Sequence, residues 1–273
     1  MTLTLRVFTK YLLKTLYLHA GYTTVRNGLA AARGKSSVTV LAYHRVDDDA
    51  ADVNAISPEI FDRQMAYLKA HYRVIGVREL LRMLQSGRNP ERAVVVTFDD
   101  GYKDNLINAA PVLKKYDLPA CFFLSSGFIG ADRPFPHDLK RLGRHVPALT
   151  WDDVRELARL GFEIGSHTVN HARLSSCDPV SLEHELRDSR KRLEVETGRE
   201  VTFFSFPFGK PGDCSYKIRQ EIAASGYCCN FSAHGGLTGP DADPFDIQRQ
   251  GVSNNPSLLF FRAWVEGWRI GAY

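Results

Sequence analysis

Residues 94–102 read VVVTFDDGY. A short apolar and β-branched run of this kind predicts a buried β-strand over residues 94–98. Two carboxylates, Asp99 and Asp100, follow that run directly, and Gly101 allows the backbone to turn tightly after them. In parallel α/β folds the functional groups gather at the carboxyl ends of the strands. The stretch therefore predicts a parallel sheet and marks one edge of it as the functional edge.

The rest of the chain alternates strand-like runs with helical patterns. Further strands are predicted at 38–43, 120–124, 162–166, 201–206 and 227–231, with weaker candidates at 73–76 and 247–252. Helices are predicted near 58–70, 77–86, 104–116, 151–160, 181–197 and 215–225. At one of these helix starts, Ser57 can act as the cap and Pro58 suits the first turn. The alternation predicts an α/β fold whose parallel sheet is either doubly wound or closed into a barrel.

One domain with an N-terminal helical extension accounts for this pattern. The extension is expected to cover residues 1–36 and the domain residues 37–273. A chain of 273 residues suits one large α/β unit that buries a core without disulfides. A long polar stretch with Pro and Gly, residues 130–148, is expected to be a loop inserted over one rim of the fold.

The N-terminal extension predicts an amphipathic helix. Basic residues lie along one stripe and apolar residues form the opposite face: Arg6, Lys10 and Lys14 against Leu5, Phe8, Leu12, Leu13 and Leu16. The charges interrupt every apolar stretch, so neither a signal peptide nor a membrane span is expected. Two interpretations stay open: the helix packs on its own domain, or it lies on a membrane surface. Peripheral membrane contact is predicted for residues 3–18 and for the aromatic segment 258–270.

Composition narrows the functional classes only slightly. The chain has 35 Lys and Arg against 31 Asp and Glu, a formal charge of +4, and no dense basic run. Nucleic-acid binding is therefore not expected. The five cysteines are odd in number and lack CxxC spacing, which predicts neither a disulfide framework nor a thiolate zinc site. A reducing compartment is the simpler interpretation, so a cytoplasmic location is expected, with contact to the inner membrane face left open.

A second polar motif follows another predicted strand. His167 and His171 stand four residues apart, which would bring both imidazoles to one face if the segment were helical. Two imidazoles and one carboxylate form a common open zinc set, with one carboxylate of the Asp99–Asp100 pair as the third ligand. Since no Glu follows the first His, as it does in HExxH enzymes, Asp99 is the candidate general base. The alternatives are a helix N-cap for the Asp pair and histidines unrelated to metal.

These two motifs resemble those of a known family. TFDDG at 97–101 with SHTVNH at 166–171 is similar to the first two motifs of the polysaccharide deacetylases (NodB-homology, carbohydrate esterase family 4). The resemblance runs from YHRV at 43–46 to QRQGV at 248–252, and is strongest to the branch acting on poly-N-acetylglucosamine-type exopolysaccharides. It implies a distorted (β/α)7 barrel and a divalent metal, usually zinc. By position it implies Asp99 as the base, with Asp100, His167 and His171 as the metal ligands.

The third motif departs from the family pattern. Ser205 stands where many members have Arg, so what orients Asp99 is left open, with Arg249 as one candidate and a surface role for that arginine as the other. The branch implies His44 as the general acid, and His234 is the rival.

Further contacts with the substrate are expected, chiefly from residues at the end of the strand predicted at 201–206. The backbone N–H of Phe208, after Pro207, is expected to stabilise the oxyanion. Stacking surfaces for a sugar are expected from Trp151, Phe206 and Phe208, with core packing as the alternative.

The sequence therefore predicts a metal-dependent hydrolase that removes N-acetyl groups from a polysaccharide or glycoconjugate containing N-acetylhexosamine. Two alternatives stay open: a deacetylase or deformylase of a lipid-linked sugar at the inner membrane surface, and a sugar-binding module without turnover. A two-carboxylate glycosidase is disfavoured, because adjacent carboxylates cannot flank a glycosidic bond.

Overall fold

A parallel sheet forms the centre of the molecule. The structure, a computed structural model, describes residues 22–89, 91–252, 254 and 257–268. Within those ranges eight strands make up the main sheet: β1 (Val38–Tyr43), β4 (Arg73–Val74), β5 (Ala93–Phe98), β6 (Cys121–Leu124), β7 (Glu163–Ser166), β8 (Phe203–Ser205), β9 (Cys229–Phe231) and β10 (Arg249–Gly251). A two-stranded ribbon, β2 (Arg45–Val46) with β3 (Ala55–Ile56), stands apart from it.

Seven of the eight strands follow one another around the sheet. Their order is β10-β1-β5-β6-β7-β8-β9, every pairing is parallel, and the short β4 pairs with the start of β5. A single bridge between Phe231 and Ile247 joins the end of β9 to the segment leading into β10. The sheet is therefore nearly closed, and the predicted distorted (β/α)7 barrel is confirmed.

Helices surround the barrel. They are α1 (Tyr22–Ala32), α2 (Pro58–His71), α3 (Val77–Ser86), α4 (Ala110–Lys115), α5 (Pro136–Leu142), α6 (Trp151–Arg159), α7 (Pro179–Glu183), α8 (Ser189–Thr197), α9 (Tyr216–Ala224) and α10 (Leu258–Val265). Two π-helical turns, Asn105–Ala109 and His184–Asp188, lead into α4 and α8. The start predicted for α2 is confirmed, because the Ile60 N–H donates to Ser57 Oγ at 3.3 Å.

Alternation along β5 explains how the barrel directs its side chains. Val94 and Val96 belong to the core between sheet and helices, whereas Val95 belongs to the core inside the barrel. Successive strand residues point to opposite faces, so Thr97 and Asp99 continue the inward-facing row. Both faces are covered, which is why a parallel strand reads as an unbroken apolar run.

The C-terminal helix α10 bears on the membrane contact predicted for its segment. Phe261 and Val265 are fully buried and Trp264 is nearly so, and all three belong to the helix-side core. These side chains pack on the barrel and are not available to a membrane, so the contact predicted for residues 258–270 has no support there. The predicted counterpart at 3–18 lies outside the described residues. Across the described ranges, no helix has the length and apolar character needed to cross a bilayer.

Two local predictions differ from the structure. The segment 130–148, expected as a loop, contains α5, which begins at Pro136 and ends before Gly143 in the left-handed region. The segment that carries His167 and His171 is not helical, because Thr168 and His171 both take a positive φ, 68° and 53°. The two imidazoles therefore converge through a folded loop and not along a helix face.

Candidate active site

Asp100, His167 and His171 converge at the carboxyl ends of β5 and β7. Their donor atoms all lie within 4.8 Å of one another. Asp100 Oδ1 stands 3.2 Å from His171 Nε2 and 3.6 Å from His167 Nε2. Asp100 and His167 are nearly inaccessible to solvent, and His171 is half-buried. The backbone at Asp100 has a φ of 73°, an uncommon conformation for a residue with a Cβ atom, and this turns its carboxylate toward the histidines.

The hydrogen bonding around this trio suits a cation. His167 Nδ1 donates to the Ser205 carbonyl oxygen at 2.7 Å, so the other ring nitrogen presents its lone pair to the site. Burial lowers the pKa of His167 to about 4 and keeps the ring neutral. Asp100 Oδ1 is buried without a hydrogen-bond partner. Two imidazoles and a carboxylate with converging lone pairs form a donor set that fits a divalent metal such as zinc.

Glu185 fixes the loop that carries the histidines. Its carboxylate accepts hydrogen bonds from the backbone N–H groups of Val169 and Asn170, at 2.9 and 2.8 Å, and from the Asn170 side chain at 2.7 Å. Glu185 is itself buried. This anchor was not foreseen from the sequence, because it lies on the π-helical turn before α8, beyond the motif.

Asp99 faces a different partner from its neighbour. Arg249 on β10 holds it in a bidentate pair, with Nη1 2.7 Å from Oδ1 and Nη2 2.6 Å from Oδ2. The remaining donors of the guanidinium group go to Thr97 Oγ1, Ser205 Oγ and the Ser232 carbonyl oxygen. Burial alone would raise the pKa of Asp99, but Arg249 and His167 outweigh it and lower that pKa. The structure thus places Arg249 beside Asp99, with the Ser205 hydroxyl as one of its acceptors.

A cavity of about 320 Å³ opens over this floor. Its lining includes His44, which follows β1, and the backbone of His44 is held by Asn105, whose side chain donates to the His44 carbonyl oxygen at 2.8 Å. Phe206 and Phe208 line it as well, and the Phe208 ring is 42% exposed and 4.9 Å from the His171 ring. The backbone N–H of Phe208 donates no hydrogen bond within the described part of the chain.

Three other predicted residues lie elsewhere. Trp151 begins α6, packs against the helix-side core under the guanidinium group of Arg192 and does not line the cavity, so the structure gives no support to the stacking role predicted for it. His234 lies outside the cavity lining, 4.0 Å from Asp246. Pro207 is buried behind Phe208 and does not line the cavity.

Sequence reasoning missed several cavity residues. They are Asn54, His137, Arg141, Arg173 and Lys210. The guanidinium group of Arg173 lies over the Phe208 ring, 4.2 Å from its centroid, and also pairs with Asp213. Two of these five residues lie in the insertion 130–148. The sequence predicted that insertion over one rim of the fold, and this was the signal that could have found them.

A parallel barrel with an Asp–His–His cluster and an Arg-paired carboxylate at its strand ends has the groups that a hydrolase with a metal centre needs. Comparison with known proteins agrees. The family model described as polysaccharide deacetylase matches residues 86–228, and the chain belongs to that family.

Individual relatives span most of the chain. It is 28% identical to Bacillus subtilis YxkH, provisionally named a polysaccharide deacetylase, over 86% of this chain and 78% of that protein. It is 26% identical to the poly-β-1,6-N-acetyl-D-glucosamine N-deacetylase of Staphylococcus epidermidis, over 84% of each chain. A crystal structure of a polysaccharide deacetylase from Bacillus cereus superposes with a TM-score of 0.70 at 25% identity, covering 85% of this chain and 69% of that one.

Proposed function

We propose that this protein is a metal-dependent N-deacetylase of a polymer of N-acetylhexosamine, with β-1,6-linked N-acetylglucosamine as the favoured repeat. The observation that carries the proposal is the Asp100–His167–His171 cluster standing beside the Asp99–Arg249 pair at the floor of one cavity. The named activity of the Staphylococcus epidermidis relative supports the choice of repeat. Residues 37–273 would form the catalytic domain.

Asp100, His167 and His171 would hold the metal, with zinc as the expected ion. Bound there, it would supply Lewis acidity that polarises the acetyl carbonyl oxygen. The Glu185 anchor and the His167 hydrogen bond to Ser205 keep the two imidazoles in place before the substrate arrives. Preorganisation of this kind avoids a reorganisation cost at the moment of reaction.

Asp99 would accept the proton of the attacking water. Arg249 uses both of its terminal nitrogens on this carboxylate, so the carboxylate cannot rotate away and stays ionised at neutral pH. Thr97 and Ser205 fix the guanidinium group in turn. Asp99 is thus oriented by Arg249 from β10. Ser205 occupies the position at which the family's third motif usually has an arginine.

The leaving amine needs a proton, because a free amine anion is not expelled in water. His44 lies on the cavity wall and would donate that proton. The free N–H of Phe208 would donate to the oxyanion. The exposed ring of Phe208, held between Arg173 and His171, would offer an apolar face to a sugar.

Amine release tests the proposal. The purified protein would be treated with a chelator, reloaded with zinc, and assayed on β-1,6-linked and β-1,4-linked N-acetylglucosamine oligomers and on a small acetyl ester, beside Asp100→Ala. We expect zinc to restore amine release from the β-1,6-linked oligomer, and Asp100→Ala to show none. One tightly bound metal without release from any acetylated sugar would contradict the proposal and favour a sugar-binding module or a lipid-linked substrate.

A further inference from the structure

His137 lies in the cavity beside the proposed metal cluster. It is the second residue of α5, within the inserted segment 130–148. Its Nε2 is 3.8 Å from Asp100 Oδ2, and its ring is 4.7 Å from the His171 ring. The side chain is 23% exposed and lines the cavity wall. An imidazole from an insertion thus reaches the same space as the residues at the strand ends.

Ion pairs hold α5 in place over the barrel. Arg141 contacts Asp52 at 2.9 Å and Asp138 at 2.6 Å, and both carboxylates are fully buried. Asp52 also accepts from Arg45, which follows His44 in the ribbon strand β2. The network therefore joins the segment after β1 to the insertion.

Aromatic packing fixes the start of the same helix. Phe135, fully buried, stacks on Phe128 with ring centroids 4.0 Å apart, and lies 5.1 Å from the His137 ring. This packing restricts the rotation of the His137 side chain, as a recognition residue requires.

Hydrogen bonding defines which nitrogen of His137 is free. The Tyr102 hydroxyl has a single proton and lies 3.0 Å from both oxygens of Asp138, to which it donates. Tyr102 Oη must then accept from His137 Nε2, 2.9 Å away. In a neutral imidazole, the ring nitrogen that donates leaves the other nitrogen as an acceptor.

The other nitrogen, Nδ1, therefore carries a lone pair. It has no hydrogen-bond partner among the described residues, and it is not one of the buried unpartnered atoms. The atom is accordingly accessible to solvent, on a side chain that lines the cavity. Its chemistry is that of a neutral acceptor, which suits a hydroxyl group and not an anion or a carbonyl.

We propose that His137 is a specificity-determining residue whose Nδ1 accepts a hydrogen bond from a hydroxyl of the N-acetylhexosamine unit being deacetylated. The inference rests on the proposed function for the identity of the sugar. In a 1,6-linked unit the free hydroxyls are those at C3 and C4, so one of these two is the donor. His137 is a substrate-contacting residue and not a metal ligand, because its Nε2 is engaged by Tyr102.

The test uses two substitutions and a control in the zinc-loaded protein. His137→Phe keeps the ring and removes the acceptor, whereas His137→Asn places an amide oxygen near the position of Nδ1. His145→Phe, at an exposed histidine of the same insertion, is the matched control. The assay measures KM, kcat and zinc content with β-1,6-linked oligomers and with oligomers carrying 3-deoxy or 4-deoxy units.

We expect His137→Phe to raise KM about 3- to 10-fold, the effect of one neutral hydrogen bond, with kcat changed less than about twofold. His137→Asn should recover most of that loss, and His145→Phe should match the wild type. The wild type should lose the same factor on one of the deoxy oligomers, and His137→Phe should not discriminate between that oligomer and its parent.

An unchanged KM in His137→Phe, or loss of zinc from it, would overturn the inference while leaving the proposed function intact. Retained discrimination against the deoxy oligomer by that variant would also overturn it. A wild type that neither hydrolyses nor binds any of these oligomers would instead refute the proposed function, and this inference with it.

Discussion

The guanidinium group of Arg249 satisfies all five of its N–H donors inside the barrel. The side chain is completely buried, and its charge is balanced by the equally inaccessible Asp99. The sequence offered this arginine only as one candidate, because its acceptors come from three different strands, β5, β8 and β9. A linear motif cannot show that β10 neighbours β1, which neighbours β5.

Removal of one partner from this pair should destabilise the fold. Arg249→Met leaves the Asp99 carboxylate buried without its counter-charge, and breaking a buried pair costs about 3–5 kcal/mol in free energy of unfolding. Urea denaturation of the zinc-free protein measures this directly. Arg159→Met, at an exposed pair with Glu156, is the control and should unfold close to the wild type. Equal midpoints for Arg249→Met and the wild type would show that the pair does not stabilise the barrel.

At the scale of elements, the strands were the most predictable part of the chain. The run at 38–43 matches β1 residue for residue, because both faces of that strand are buried and its residues are apolar or β-branched. The helix α5 was missed, since seven residues inside a polar segment with Pro and Gly carry too little periodicity. The conformation of the loop that carries His167 and His171 could not be predicted from the sequence pattern either, because Glu185 fixes that loop from another element.

The ribbon strand β2 is held in place by Arg45, whose carboxylate partners come from two separate parts of the sequence. The guanidinium group is nearly inaccessible and contacts Asp49 at 3.0 Å, Asp52 at 2.9 Å and Asp104 at 2.9 Å. Burial acts to raise the pKa of Asp52, but the Asn54 N–H, Arg45 and Arg141 together lower it. In the wild type, Asp52 therefore stabilises the fold above its ordinary pKa and loses that contribution only as pH falls below it.

Arg45→Met should reverse this pH dependence. Without the cation the neighbouring carboxylates repel one another, so their pKa values in the folded state rise above those in the unfolded chain. The folded variant then binds more protons than the unfolded one, and its stability increases as pH falls. We expect the difference in free energy of unfolding between wild type and variant to be smaller at pH 5 than at pH 7.5.

Chemical denaturation at the two pH values measures that difference. Arg155→Met, at an exposed pair with Asp152, serves as the control and should give the same difference from the wild type at both. If the wild type and Arg45→Met differ by the same free energy of unfolding at both pH values, the carboxylates around Arg45 do not repel one another in the folded chain.

At the scale of the whole molecule, closure of the barrel brings distant motifs together. The cavity lining extends from Ala42 to Gly251, so nearly the full length of the proposed domain contributes to one site. The alternation of strands and helices predicted a parallel sheet but left open whether it was wound or closed. The family resemblance predicted the barrel, and the bridge between Phe231 and Ile247 shows where the sheet nearly closes.

The adjacent carboxylates Asp99 and Asp100 have different proposed roles, and zinc content with acetate release distinguishes those roles most directly. Wild type, Asp99→Asn and Asp100→Asn would be stripped, reloaded and compared on the β-1,6-linked oligomer. We expect one zinc per chain in the wild type and in Asp99→Asn, with acetate release about 10²- to 10⁴-fold slower in the latter, the usual contribution of a general base. Asp100→Asn should bind zinc weakly and release no acetate. Full zinc binding with turnover in Asp100→Asn, or loss of the metal from Asp99→Asn, would contradict the assignment of ligand and base.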